Sequence, residues 1–148
     1  MKICIVCSAG GHLVEIMQLY SLFKQYHRIF LTVKRKQAQE LLKHEKVFYI
    51  EDPKRNPLKL LINFIQAFSI LLKERPDVII STGAGAALTT CYLGKIFGAK
   101  IVFIESLSAV EEPSLAGRLV YPITNLFIVQ WRQILKFYKK AIYGGQLI

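Results

Sequence analysis

Cys4-Ile5-Val6-Cys7 is a short apolar run that passes directly into Ser8-Ala9-Gly10-Gly11 and then into His12-Leu13 and helical periodicity. The same order recurs later, with Asp77 to Ile80 as the apolar run, Ser81-Thr82-Gly83-Ala84-Gly85 as the small-residue turn, and a helix from Ala86. A strand, a nearly side-chain-free turn and a helix start make a βα unit. Glycine lets a ligand approach the backbone closely. A helix start offers unpaired N–H groups and partial positive charge, which suits phosphate. His12 falls on the first helical turn and is the titratable side chain beside it.

The remaining segments keep this alternation. Expected strands are Lys2 to Cys7, Arg28 to Val33, Val47 to Ile50, Asp77 to Ile80, Lys100 to Ile104, Asn125 to Val129 and a last short one at Ala141 to Tyr143. Expected helices are His12 to Gln25, Gln37 to Lys43, Leu58 to Glu74, Ala86 to Phe97, Ser114 to Tyr121 and Trp131 to Tyr138. The strands are continuous apolar runs, as in a parallel sheet covered on both faces. The predicted fold is α/β: a Rossmann-like, doubly wound parallel sheet forming one domain over residues 1–148, with ligands at the carboxyl ends of the strands. The helix from Leu58 is unusually apolar. Lys59, Asn63, Gln66 and Lys73 form one narrow polar stripe, and the apolar arc is wider than contact with a sheet needs.

Charge narrows the partners. Twenty Lys and Arg stand against ten Asp and Glu, a net charge of +10, which favours an anionic partner such as a phosphorylated substrate or a lipid headgroup. The basic residues are scattered and match no nucleic-acid motif, so nucleic acid is not an expected partner. Any membrane contact is expected to be peripheral, because no run reaches the ~18 apolar residues of a spanning helix and the chain opens on a strand rather than a leader. Cys4 and Cys7 have C-x-x-C spacing, but positions three apart on a strand face opposite ways. They and Cys91 therefore read as buried apolar residues in a reducing, cytoplasmic setting.

The motifs leave two chemistries open. Gly83-x-Gly85, with Glu105 22 residues after Gly83, resembles a dinucleotide fingerprint, although position 88 is Leu. Alternatively, Gly10, Gly11 and His12 hold a phosphorylated substrate, with His12 as a candidate base. The sequence has no D-x-D or H-x-x-x-H pattern, and neither a metal nor a cofactor is expected.

Ser8-Ala9-Gly10-Gly11-His12-Leu13, Ser81-Thr82-Gly83-Ala84-Gly85-Ala86, Phe103-Ile104-Glu105-Ser106, Pro113 to Leu119 and Tyr143-Gly144-Gly145 occur in this order over nearly the whole chain. Together they resemble the oligosaccharide biosynthesis family that includes bacterial PssD and CpsF. Its eukaryotic members are the membrane-recruiting subunit of the enzyme that adds the second N-acetylglucosamine to dolichol diphosphate. More distantly, Gly10-Gly11-His12 is similar to the end of the glycine-rich loop of MurG.

The resemblance implies the amino-terminal half of a GT-B glycosyltransferase, working in capsule or exopolysaccharide biosynthesis. This chain would bind a lipid-linked acceptor such as an undecaprenyl-diphosphate-linked sugar. A separate donor-binding subunit would form a heterodimer with it and bring the UDP-sugar. The family's eukaryotic amino-terminal anchor has no counterpart here, so the expected location is peripheral, on the inner face of the plasma membrane against its anionic surface. His12 and Glu105 are the expected catalytic residues. Ser8, Gly10, Gly11, Thr82, Gly83, Gly85 and Ser106 are the expected substrate-binding residues. The alternatives are a stand-alone nucleotide- or dinucleotide-binding protein and a non-catalytic membrane scaffold.

Overall fold

A computed structural model describes residues 1–147. Seven strands form one sheet: β1 (Lys2–Cys7), β2 (His27–Thr32), β3 (Val47–Tyr49), β4 (Val78–Gly83), β5 (Lys100–Ile104), β6 (Leu126–Val129) and β7 (Ile142–Tyr143). Every pairing is parallel, and the spatial order is β3-β2-β1-β4-β5-β6-β7. The order reverses between β1 and β4. That is the switch point at which a doubly wound sheet opens a crevice beyond its carboxyl edge.

Six α-helices accompany the sheet: α1 (Gly11–Met17), α2 (Tyr20–Phe23), α3 (Lys36–Leu41), α4 (Pro57–Glu74), α5 (Gly85–Ile96) and α6 (Leu115–Val120). Strand alternation divides the core in two. Cys4, Val6, Ile79, Ile101, Phe103 and Phe127 pack on the side of α4, α5 and α6. Ile3, Ile5, Cys7, Phe30 and Ile80 pack with Leu13, Ile16 and Ala38 on the other. Cys4 and Cys7 thus lie on opposite faces, and all three cysteines are free and buried. Burial pushes the thiols of Cys7 and Cys91 up to about 12.

Three local readings change. The single helix expected from His12 to Gln25 breaks into α1 and α2, because tight turns from Gln18 to Glu15 and from Leu19 to Ile16 redirect the chain and seat Phe23 in the core. The fourth strand runs on to Gly83, so Ser81, Thr82 and Gly83 belong to the strand rather than to the turn. Their polar atoms are satisfied there: Ser81 Oγ accepts from Gly83 N at 3.0 Å, and Thr82 Oγ1 donates to the His12 carbonyl at 2.8 Å. Asn63 and Gln66 of the α4 stripe point inward, while Lys73 is exposed. Asn63 is fully buried and donates to the Glu51 and Ala86 carbonyls at 2.8 and 3.2 Å, and Gln66 Oε1 accepts from Glu51 N at 2.7 Å. The apolar arc is therefore left outside, with Leu58, Leu61, Phe64, Ile65, Phe68 and Leu72 exposed. No helix of the described residues is long and apolar enough to cross a membrane.

Candidate functional site

The two glycine turns meet at the switch point. β1 and β4 pair with a register shift, so that Val6 faces Ser81 and Cys7 faces Gly83. Gly83 has φ +115°, and a Cβ there would lie 3.5 Å from both His12 Cε1 and Phe103 Cζ. That is ordinary van der Waals contact, so the positive φ rather than the imidazole selects glycine here. Thr82 ties the first turn of α1 to the same strand end through its bond to the His12 carbonyl. His12 Nδ1 is buried without a hydrogen-bond partner among the described residues. Buried polar atoms are rarely left so, and this one lies on the Gly83 side of the ring, 3.7 Å from where a Cβ on Gly83 would be.

Beside His12 lies a pocket of about 260 Å³. Ala84 and Gly85 form one wall, Ser106, Ser108 and Ser114 the opposite one, and Leu88 and Leu115 add apolar surface. The lining is largely apolar with three serine hydroxyls set in it, and His12 is its one ionisable side chain. Such a surface fits the alternating hydroxyl and C–H faces of a sugar ring better than a bare anion. Ala84 has φ +78° and ψ 158°, a region that favours glycine, so the backbone is strained at the pocket wall.

Glu105 does not reach into this pocket. Its side chain is buried, and its oxygens accept from Ser106 N at 2.9 Å, Ser114 N at 3.1 Å and Tyr138 Oη at 2.8 Å, and from Ser114 Oγ. Burial and then the neighbouring Glu105 push the Tyr138 phenol well above its ordinary range. Ser114 also caps α6, accepting from Gly117 N at 2.9 Å. Glu105 thus gathers the end of β5, the 105–114 loop and the start of α6. With its carboxylate committed to internal donors, it presents no free oxygen to a ribose beside Gly83 and Gly85, the partner a dinucleotide fingerprint needs.

The structure brings together His12, Gly85 and Ser106 at the pocket, with Thr82 and Gly83 directly beneath His12 and Glu105 behind the serine wall. Ser8 and Gly10 lie on the adjoining β1–α1 turn, where Gly10 takes φ +102°, and Gly11 opens α1, all outside the pocket lining. Glu111 and Glu112 face a separate surface depression with Gln133 and Lys136. Sequence reading missed Ser108, Ser114, Tyr138, Glu15 and Gln130. Glu15 accepts from Leu107 N at 3.2 Å and from Gln130 Nε2 at 3.0 Å, and Gln130 also donates to the Glu105 carbonyl at 2.9 Å. The spacing of His12 and Glu15, three apart on one helix, is the one signal that marked Glu15 as a neighbour of the site. Among the described residues no group of three or more His, Cys, Asp or Glu side chains is placed to hold a metal ion.

A family model described as "Oligosaccharide biosynthesis protein Alg14 like" matches residues 34–147. The Candida albicans protein named UDP-N-acetylglucosamine transferase subunit ALG14 is 38% identical over 94 residues, covering 60% of this chain and 43% of the relative. The Homo sapiens protein of that name is 31% identical over 55% of this chain and 41% of its own length. The Yarrowia lipolytica protein is 22% identical over 99% of this chain and 81% of its own length. The matched segment therefore spans less than half of the Candida and human relatives. Among solved structures, Acinetobacter baumannii MurG superposes with a TM-score of 0.81 at 10% identity over 99% of this chain and 46% of MurG. The Neisseria meningitidis UDP-GlcNAc 2-epimerase bound to UDP-GlcNAc superposes with a TM-score of 0.72 at 13% identity, covering 99% of this chain and 47% of that one. At these identities the likeness is one of fold: the Rossmann-like domain of the amino-terminal half of a GT-B glycosyltransferase.

Proposed function

This chain belongs to the Alg14-like oligosaccharide biosynthesis family, and from that premise we propose that it is the acceptor-side subunit of a two-chain GT-B glycosyltransferase. In this reading residues 1–148 form one acceptor-binding domain, and a separate donor-binding subunit brings a UDP-sugar. UDP-N-acetylglucosamine, which the relatives' name carries, is the first donor to assay. The acceptor is a sugar linked to a polyprenyl diphosphate, with the diphosphate near Gly10 and Gly11 and the sugar in the pocket between His12 and the serine wall.

The observation that carries this reading is His12, held over Gly83, lining a sugar-sized pocket that carries three serine hydroxyls on a largely apolar surface. In the inverting step, the acceptor hydroxyl oxygen attacks the anomeric carbon of the donor. The bond from that carbon to the diphosphate oxygen breaks, UDP departs, and the acceptor proton passes to His12. Ser106, Ser108 and Ser114 hold acceptor hydroxyls. Glu105 acts as a positioning residue that fixes Ser106 and Ser114. Two surfaces support the partners. Val78, Val102 and Ile128 are only half-buried on their face of an all-parallel sheet, which ordinarily is covered, and this face suits the donor-binding subunit. The apolar arc of α4 and the net positive charge suit the anionic inner face of a plasma membrane.

The test is transfer from UDP-N-acetylglucosamine to a polyprenyl-diphosphate-linked acceptor, assayed with each subunit alone and with both. The reading expects activity only from the pair, and full activity from this chain alone would sink the two-subunit assignment. In the pair, His12→Ala should lower the rate by at least ~10²-fold, the usual scale of a lost general base. A near-wild-type rate would remove His12 from the chemistry. A scaffold that only recruits its partner would instead lose membrane binding with α4 variants while keeping activity with His12→Ala.

A further inference from the structure

A second polar pocket, of about 370 Å³, opens beyond the carboxyl ends of β2 and β3, lined in part by Lys34, Arg35, Lys54, Lys59, Glu51 and Asp52. Four cations against two carboxylates leave the lining with a charge of +2. Among the described residues, Lys34, Arg35 and Lys54 have no carboxylate within ion-pair distance, and Lys59 meets Glu51 only at 4.0 Å. The basic side chains are brought there at a conformational cost. Lys54 and neighbouring Arg55 take φ of 44° and 60°, left-handed conformations uncommon outside glycine and asparagine. The floor is fixed by α4, whose Asn63 and Gln66 hold the backbone of Glu51. Like charges collected from two loops and the first turn of α4 repel, and an anion with several acceptor oxygens relieves that repulsion.

The pocket is also continuous with α4. Lys59 lies on its first turn, and the side chains that follow on the outer arc include Leu58, Leu61 and Ile65, which are 65%, 54% and 56% exposed. We propose that this pocket is a phosphate-ester site that takes the headgroup phosphate of an anionic membrane lipid while the lipid's acyl chain lies against α4. The site is distinct from the His12 pocket. It rests on the membrane part of the reading above and is independent of the transfer chemistry.

Co-sedimentation of the full chain with vesicles tests it, using phosphatidylcholine alone and an equimolar mixture with phosphatidylglycerol. Each lysine near an anionic surface contributes about fivefold in affinity, so Lys34→Gln with Lys54→Gln should weaken binding to the anionic vesicles roughly 25-fold. Lys139→Gln with Lys140→Gln removes the same charge from exposed residues just before β7 and should cost no more than about twofold, as expected for charges away from the contact. Leu61→Ser with Ile65→Ser should weaken binding to both vesicle types. In a soluble arm, glycerol 1-phosphate should shift backbone amide resonances at 34–35 and 51–56 in the wild type and not in the Lys34/Lys54 variant.

Equal losses from the two lysine pairs would mean diffuse attraction, overturning the site while leaving membrane binding intact. Unchanged vesicle binding by the Lys34/Lys54 variant, without glycerol-phosphate shifts in the wild type, would also overturn it. Glycerol-phosphate shifts without binding to either vesicle would make the pocket a site for soluble phosphate, overturning the lipid assignment together with the membrane reading.

Discussion

Gly117→Ala probes how the serine wall of the His12 pocket is held. Gly117 lies in the first turn of α6, and a Cβ there would sit 2.2 Å from Glu105 Oε2, 2.8 Å from Tyr138 Oη and 2.9 Å from Glu105 Cδ. In an open helix the change would be favourable by roughly 0.5–1 kcal/mol. Here the carboxylate cannot step aside without releasing Ser106 N, Ser114 N or Tyr138 Oη, which donate to it at 2.9, 3.1 and 2.8 Å. Forcing an extra carbon into a packed site costs about 1–3 kcal/mol, and losing one hydrogen bond to a charged group costs roughly 1.5–3 kcal/mol. With the helix gain subtracted, the expected net loss is about 3 kcal/mol. Urea unfolding reads it as a lower midpoint at unchanged slope. In a Glu105→Ala background the carboxylate is gone and only the Tyr138 hydroxyl, now without its acceptor, has to give way, so the second substitution should cost at least ~1 kcal/mol less than in the wild type, a coupling between neighbours of the expected size. Stability within ~0.5 kcal/mol of wild type for Gly117→Ala alone, or the same cost in both backgrounds, would refute the packing of Glu105 against α6.

Ala84→Gly should relieve the positive φ at the pocket wall and raise unfolding stability by about 1 kcal/mol, the strain less the added flexibility of the unfolded chain. No gain in a denaturant melt would mean that Ala84 is not strained. Glu74 is held below the usual carboxylate range by Lys2 and then by Lys46, which lies 2.8 Å away. The unfolded state therefore takes up this proton first, so the stabilisation is complete above the unfolded pKa of ~4.3 and is lost as pH falls through the lower folded pKa. Glu74→Gln should flatten that part of the acid-unfolding curve, and an unchanged curve would count against the ion pairs. Burial and the raised pKa of Cys7 and Cys91, about 12, predict that at pH 8 iodoacetamide labels the cysteines only as fast as the chain opens. Rapid labelling of the native protein, read by mass spectrometry, would contradict their burial.

Local pattern carried most of the architecture. Continuous apolar runs marked the strands, and their alternation with helices marked a parallel, doubly wound sheet. Side-chain alternation alone was enough to put Cys4 and Cys7 on opposite faces. Gly10 was legible as a turn residue, whereas Gly83, read as part of a turn, closes β4 instead. The inward direction of Asn63 and Gln66 in α4's polar stripe was not legible. Whether a stripe faces water or a neighbour depends on the acceptors the neighbour supplies, and Asn63 finds them in Glu51 and Ala86.

The site itself divides in the same way. Residue type and position at a strand end were sufficient to place His12, Gly83, Gly85 and Ser106 together at the carboxyl edge of the sheet. The role of Glu105 was not, because a carboxylate after a buried strand reads alike whether it meets a substrate or the protein's own donors. Tertiary structure supplied the protein's own donors, bringing Tyr138, 33 residues away in sequence, to its oxygen. It likewise joined Glu15 to Gln130 across 115 residues. Periodicity reports only which face a side chain takes on its own element. The order of strands in the sheet sets β1 beside β4, and so His12 over Gly83, and that order is fixed by burial shared among segments far apart in the chain.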